Sequence, residues 1–431
     1  MAAFAIFWPS SSKSSGTGPS CVHGIESNRS TLPPWVHMAA TFALLLATAP
    51  AAPAFDVVVY GSSPAGISAA VAAGQLGLKT ALYEPLKMIG GMGAAGNLAL
   101  HDSGPDGGLG EVFSRLNGEY YNVTEAIDQP ESFVSEKSFY TMLANASVTH
   151  IKLDCHLTAA AREVTAGVSK VKSISVICEP EPVTAMVFID ASYDGEIMAA
   201  VGDVAFTAGR EAIAQYNESL AGARAPGFTG VGGPRNISAL KADGSLIKYV
   251  ANISELATPG EADDALMAFQ HRLCVSGDPV DVPWGRVPWP KPAGYNPEDF
   301  LIMQRAIEAG DKSPYQNMPP SAMHAVAKGA CKKKKYTVCC GISVAASDQP
   351  NLNKGWANAS WERKQEITAE HTYFELGSLY YLANDPKVPA AIREKFSQYG
   401  LCRDEFADYD PPYIPPQLCV RPDQQCLKMQ R

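Results

Sequence analysis

The residues best suited to chemistry lie in Gly61-Ser62-Ser63-Pro64-Ala65-Gly66, with Glu84 standing 23 positions after Gly61. Two chemistries use this pattern. In the first, the turn presents backbone N–H groups at a helix N-terminus to a pyrophosphate. Gly61 permits a tight exit from a strand, Gly66 lets the helix pack closely on the sheet, and the acid accepts hydrogen bonds from a ribose. Ser63 stands where that fingerprint has its second glycine, and its small side chain narrows the backbone's approach to phosphate. In the second, strand–Gly-x-Ser-x-Ala–helix is a hydrolase nucleophile elbow with Ser63 as nucleophile. That motif takes half of its oxyanion hole from the N–H of the residue after the serine. Here that residue is Pro64, which has no N–H. The hydrolase reading fails on that atom.

The elements needed to hold such a turn are legible on both sides of it. Phe55–Tyr60 is a short valine-rich run, as a strand buried on both faces should be. A helix of small residues follows to Leu76, with Gly77 as its stop. Lys79–Tyr83 reads as a second strand ending at Glu84. Phe55 to Glu84 is 30 residues, the length of one right-handed βαβ unit. In the next segment, PLKMIGGMGAAGNLAL, Gly90-Gly91 supplies flexible backbone beside a further part of a long cofactor. Residues 183–202, VTAMVFIDASYDGEIMAAVG, form a strand running into small residues, a turn at Asp194-Gly195 and a helix. Small residues at a strand's carboxyl end suit close approach to a ligand. The stretch 361–385 reads as a helix by its period, apolar at Ile367, Tyr373, Phe374, Leu376 and Leu379.

Composition bounds the rest. A length of 431 residues allows two or three domains at roughly 100–200 residues each. Hydrophobic residues make up 46%, enough for a sizeable core and too many for wholesale disorder. With 35 basic and 44 acidic residues the net charge is −9, which argues against a general nucleic-acid binder. The ten cysteines contain no C-x-x-C pair, against zinc ribbons, thioredoxin-like sites and iron–sulfur modules. The eight histidines show no H-x-x-x-H spacing, and no metal is expected.

On these motifs the chain resembles the secreted-type FAD-dependent oxidoreductases of the glutathione-reductase-like superfamily, often labelled xanthan lyases. The resemblance rests on DVVVYGSSPAGISAAVAAG, YEPLKMIGGM, FIDASYDGEIMAAVG and TAGREAIAQYNESLAG (207–222). It continues more loosely through FQHRLCVSGDP, KPAGYNPEDF, YGLCRDEF and PPQLCVRP, so that it covers most of residues 55–422. It implies an α/β fold: a doubly wound parallel FAD/NAD(P)-binding Rossmann-type domain over about 55–210, discontinuous, with 131–147 belonging to a second, mixed α+β substrate or cap domain at 211–431. It implies that Gly61, Ser62, Ser63, Pro64, Ala65 and Gly66 cradle the pyrophosphate and that Glu84 binds the adenosine ribose. Gly90, Gly91 and Met92 would lie along the ribityl and flavin side. Ala191, Ser192, Asp194 and Gly195 would close over the dinucleotide, and Val164 would touch the adenine through its backbone. The implied activity is transfer of a hydride from an organic substrate, carbohydrates included, to FAD and on to another acceptor. Other readings are a polysaccharide lyase of the same fold, a fragment that only binds a dinucleotide, and an iron–sulfur electron-transfer flavoprotein like the heterodisulfide reductase A subunit. The cysteine pattern disfavours the last. Such proteins return to the FAD domain in a final strand, glycine-rich turn and helix. No such segment is found before Arg431, so the second domain is expected to be incomplete.

Other features have a functional and a plain reading. His101, followed by Asp102, could form an acid–base pair near a flavin, or a polar loop. Arg210, followed by Glu211, could anchor an acidic substrate, or start a helix as an ion pair. Lys332–Lys335 is expected to be a solvated loop, and Cys339-Cys340 to be buried or disulfide-bonded. Trp284, Trp289, Trp356 and Trp361 could stack on sugar rings or fill the core.

The N-terminus and the asparagines suggest a compartment. Residues 1–37 are rich in Ser, Pro and Gly and read as an unstructured extension. Residues 38–54 read as a signal peptide, because the unbroken apolar run of 39–49 is far short of the about 20 residues of a spanning helix. Met38 would then be the start of translation. Seven of 14 asparagines open N-x-S/T triplets: Asn28, Asn122, Asn145, Asn217, Asn236, Asn252 and Asn358. That enrichment suggests a glycoprotein of the secretory pathway with no stable membrane span.

Overall fold

The computed structural model describes residues 53–98, 107–202, 208–219, 221–223, 237–250, 255, 257–311, 321–322, 329, 331–338 and 352–419. His101, residues 38–52 of the expected signal peptide, Cys339-Cys340, Asn28, Asn236 and Asn252 lie outside them. Residues 53–431 make up one unit by their contacts.

The first sheet grows from strand β1 (Phe55–Tyr60). β1 pairs in parallel with β2 (Thr80–Tyr83) on one side and with β6 (Val183–Asp190) on the other, with Val59 opposite both Leu82 and Ile189. β3 (His150–Lys152) extends the parallel part beyond β2. An antiparallel arm, β4 (Leu157–Thr165) and β5 (Val168–Val176), continues from β6, giving the order β3-β2-β1-β6-β5-β4. The valine run explains why β1 is central. Val57 and Val59 point into one apolar cluster and Val58 and Tyr60 into another, and all four are buried.

Helix α1 (Pro64–Gln75) starts directly after β1, with proline at its first position and the Ser63 hydroxyl as its cap, accepting from Gly66 N–H at 3.2 Å. α2 (Gly108–Tyr120) and α3 (Ser132–Asn145) complete the cover of that face, contributing Phe113, Phe139 and Leu143 to the cluster of Val57, Val59 and Ile67. Residues 131–147 therefore pack in the core of the first sheet, not in a cap. Helix α3 lays Phe139, Met142 and Leu143 on the face that α1 leaves open, and the domain boundary is drawn by that burial. The opposite face is covered by the antiparallel arm and by Ile197 of α4 (Glu196–Val201).

After α5 (Ile213–Tyr216) comes a second, antiparallel sheet of order β8-β11-β7-β10-β9. Its strands are β7 (Cys274–Ser276), β8 (Arg286–Val287), β9 (Ser321–Ala322), β10 (Lys335–Thr337) and β11 (Gly400–Cys402). α6 (Leu301–Glu308), α7 (Trp361–Asn384) and α8 (Ala390–Ser397) accompany it. Leu273, Val275, Phe300, Phe374, Leu379 and Leu401 form its core. Helix α7 follows the sequence expectation, with Ile367, Phe374, Leu376 and Leu379 buried. Disulfides join Cys155 to Cys178 and Cys274 to Cys402, the second linking β7 to β11.

The lysine run is not a solvated loop. Lys335 is 0% exposed within β10, where its ammonium meets Glu131, Asp404 and Glu405 at 2.6, 2.8 and 3.1 Å. Lys333 bridges Glu131 and Asp404 at 2.8 and 2.7 Å. Strand alternation drives Lys335 inward, and three carboxylates gathered from distant segments compensate it.

Candidate functional site

At the carboxyl end of β1 the chain turns at Gly61, whose φ is +91°, and enters α1. A Cβ at Gly61 would lie 2.7 Å from the Ala191 carbonyl atoms, and one at Gly66 would strike the Gly61 carbonyl oxygen and sit 2.8 Å from the Ala191 Cβ. Both glycines are required by the close meeting of β1, α1 and the end of β6. Ser63 fits where the fingerprint has glycine because its hydroxyl turns away, donating to Ala191 O at 2.8 Å while capping α1. The cost foreseen for this serine is thus avoided locally.

Glu84 ends β2 beside this turn and is 3% exposed. Its Oε2 accepts from Ser62 N–H at 2.7 Å and Ser62 Oγ–H at 2.5 Å, and its Oε1 from Leu86 N–H at 2.9 Å. Burial pushes its carboxyl up to about 7, against those hydrogen bonds, which favour the charged form. A carboxylate offers about four lone-pair sites, so one on Oε1 is left for a ribose hydroxyl.

Beyond it, Gly90 and Gly91 both take positive φ, +98° and +47°. Gly90 N–H donates to Ser62 O at 3.0 Å, and Met92 N–H to the Tyr193 hydroxyl at 2.7 Å. A Cβ on Gly91 would lie 2.5 Å from that hydroxyl and 3.0 Å from Ser63 Cα, so the glycine pair is packed against the first turn. Asp190, at the end of β6, fixes the facing turn: its carboxylate accepts from Ser192 Oγ–H at 2.6 Å and from Ile197 N–H at 2.8 Å.

Helix α7 roofs the site. Lys364, buried, places its ammonium 2.8 Å from both Asp194 Oδ2 and Glu196 Oε1, and Trp356 Nε1–H donates to Asp194 Oδ2 at 2.8 Å. Under this roof runs a cleft lined by Gly61–Ser63, Glu84, Gly91, Ala191–Asp194, Trp361, Lys364, Thr368 and Pro416–Leu418. A second cleft shares Asp194, Glu196, Trp361 and Lys364 with it and adds His156–Thr158. The His156 and Trp361 rings stack there, with centroids 4.9 Å apart and planes 5° apart. The two clefts run together through these shared residues as one trough.

Comparison with known proteins fits this geometry. Residues 56–422 match the model of the family described as FAD dependent oxidoreductase. The chain belongs to that family. FAD is therefore its cofactor, and the trough suits it: a glycine-lined turn at a helix N-terminus and a carboxylate with a spare lone pair. Among solved structures, that of Thermovibrio ammonificans THI4 is 14% identical over 42% of this chain and 76% of that one, with a TM-score of 0.29. OTEMO in complex with FAD and NADP is 20% identical over 33% of this chain and 25% of that one, with a TM-score of 0.25. A steroid monooxygenase bound to NADP is 15% identical over 32% and 26%, also at 0.25. The chain thus spans about a quarter of those two proteins. No curated protein matches it significantly in sequence.

The trough brings together Gly61, Ser62, Ser63, Glu84, Gly91, Ala191, Ser192 and Asp194 of the residues expected from sequence. Pro64, Ala65 and Gly66 open α1 beside them, Gly90 and Met92 flank Gly91, and Gly195 is the left-handed residue before α4. Val164 is not brought there. It is 59% exposed near the tip of the β4–β5 hairpin, about 23 Å along the strand from Leu157. The segment that reaches the trough is the start of that strand, His156–Thr158. Arg210 is ion-paired with Asp263, its Nε 2.7 Å from Asp263 Oδ1, which pins the loop after α5. Sequence reasoning missed Tyr193, Lys364 and Thr368. The spacing of Trp361, Lys364 and Thr368, three and four residues apart, places them on one helical face and was the available signal. The described chain also returns to the glycine segment, where Gln417 N–H donates to Ala95 O at 3.2 Å.

Proposed function

We propose that this chain is a secreted FAD-dependent oxidoreductase that removes a hydride from an organic substrate. The observation that carries the reading is the continuous trough from the Gly61–Gly66 turn to Trp361. At the start of α1 the Ala65 N–H would hold the pyrophosphate, since Pro64 has no N–H and that of Gly66 is given to the Ser63 hydroxyl, and Glu84 would hold the ribose. Cys155 N–H donates to Glu84 O at 3.0 Å, so His156–Thr158 follow directly from the ribose acid, and with Trp361 they would hold the adenine. Gly90–Met92 would line the flavin side. Bound FAD supplies the two-electron chemistry. The chain binds it, orients it and keeps water from one side through α7.

Secretion is supported by two disulfides in the described residues and by the exposure of Asn122, Asn145, Asn217 and Asn358. Anaerobic mixing of the FAD-loaded protein with reduced organic substrates tests the activity. Bleaching of the visible flavin absorbance by at least one of them is expected. A flavin that dithionite bleaches but that no alcohol, amine or sugar substrate reduces would refute the hydride-transfer reading.

A further inference from the structure

A third, open cleft of about 480 Å³ shares no lining residue with the trough and is lined by Tyr120 and Tyr121 at the end of α2, Glu131 and Phe133 at the start of α3, Trp284, and Cys331–Lys333. Its position follows from α3. The carboxyl end of that helix meets α1's end, where a Cβ on Gly74 would touch Ala146 and Val148. Midway, the Phe139 ring packs on Gly90 and Gly93. The amino end of α3 therefore points to the side on which α1 begins, the ligand side of a parallel sheet. Glu131 lies about 12 Å along the axis beyond Phe139, from eight residues of helical rise. Asn97, just after the glycine segment, ties the two places together, accepting from Ser132 Oγ–H at 2.9 Å.

The cleft's lining selects a ligand. Trp284 and Tyr120 leave 39% and 43% of their surface in water, offering flat apolar faces. Glu131, the one acid in the lining, has no capacity left: Oε1 accepts from Lys333 and Lys335 at 2.8 and 2.6 Å, and Oε2 from the Tyr121 hydroxyl at 3.0 Å and the Cys331 thiol at 3.7 Å. Lys333 gives two of its three N–H bonds to Glu131 and Asp404 and keeps the third. Lys332 is exposed and has no partner among the described residues. What remains open is cationic donors beside aromatic faces.

We infer that this cleft, which shares no lining residue with the trough, binds a ring-bearing carboxylate, with the carboxylate on Lys332 and Lys333 and the ring face on Trp284 and Tyr120. This inference does not depend on the oxidoreductase reading. It is tested by titrating the full FAD-containing protein with sodium glucuronate, glucose and sodium benzoate, following tryptophan fluorescence and heat. Saturable binding of glucuronate, benzoate or both, weakened by salt, with glucose at least about tenfold weaker, is expected. Glucuronate alone would name a sugar acid as the source, benzoate alone an aromatic acid. Lys332→Glu, at an exposed site, should weaken the anion about tenfold or more, and Trp284→Leu should do so with the flavin spectrum unchanged in both. Failure of both anions to saturate, glucose binding equal to glucuronate, or an unchanged affinity in Lys332→Glu would overturn the inference. A colourless protein would instead count against the FAD reading.

Discussion

Gly66 joins the sequence motif to the cofactor most directly, and Gly66→Ala is a one-carbon perturbation of it. The new Cβ would overlap the Gly61 carbonyl oxygen and stand 2.8 Å from the Ala191 Cβ, where ordinary contact begins at 3.4 Å. Neither neighbour is the end of a flexible side chain, so α1 must move off the β1–β6 edge by at least half an ångström. Overpacking against backbone costs about 3 kcal/mol, offset by about 1 kcal/mol from the better helix propensity of alanine. The net loss of about 2 kcal/mol is survivable. Affinity should suffer more, because the same movement withdraws the Ala65 N–H from the pyrophosphate. One charge-assisted hydrogen bond lost is about 1.5–3 kcal/mol, or about 10- to 150-fold in the FAD dissociation constant. Gly77→Ala is the control. It forces a left-handed alanine, at about 1–2 kcal/mol, with nothing within 4 Å of the added carbon. The two variants should lose similar stability in urea, and only Gly66→Ala should lose FAD in a fluorescence titration. Wild-type FAD affinity in a folded Gly66→Ala protein would refute the reasoning.

Other residues give sharper tests of particular contacts. Trp361→Ala should weaken FAD about 5- to 150-fold if the indole stacks on adenine, while Val164→Asp, at an exposed site, should leave the titration unchanged. For Glu84 the folded carboxyl titrates near 7 against an ordinary 4.5. The folded protein therefore keeps a proton that the unfolded chain has released, and its stability falls as pH rises from about 4.5 to 7. For this fully buried group the fall is on the order of 3 kcal/mol in the FAD-free protein, and Glu84→Gln should flatten that part of the urea-stability profile. Cys274→Ser with Cys402→Ser opens a loop of 128 residues; chain entropy puts the loss at about 5 kcal/mol, read as a lower urea midpoint.

The first βαβ unit was legible because everything that makes it is local. The valine run, the Gly61–Gly66 turn, the small-residue helix and Glu84 sit within 30 residues, and each has its own rule of spacing. Helix α7 was legible by its period. Its role as a roof was not, because Lys364 acquires meaning only when Asp194 and Glu196, about 170 positions earlier, come to lie 2.8 Å away. The same non-locality misled the reading of the lysine run, since the carboxylates that let Lys335 be buried come from residues 131, 404 and 405. The placement of Val164 failed differently. The resemblance implied a contact at Val164, but which end of its nine-residue strand reaches the trough depends on tertiary packing, which no local pattern shows.

The central claim, that the trough holds FAD, is tested most directly by the visible absorption spectrum of the purified full chain, before and after denaturation. The account predicts a bound-flavin spectrum, with FAD released intact on unfolding in a ratio near one per chain. A folded protein that stays colourless and takes up no added FAD would contradict it.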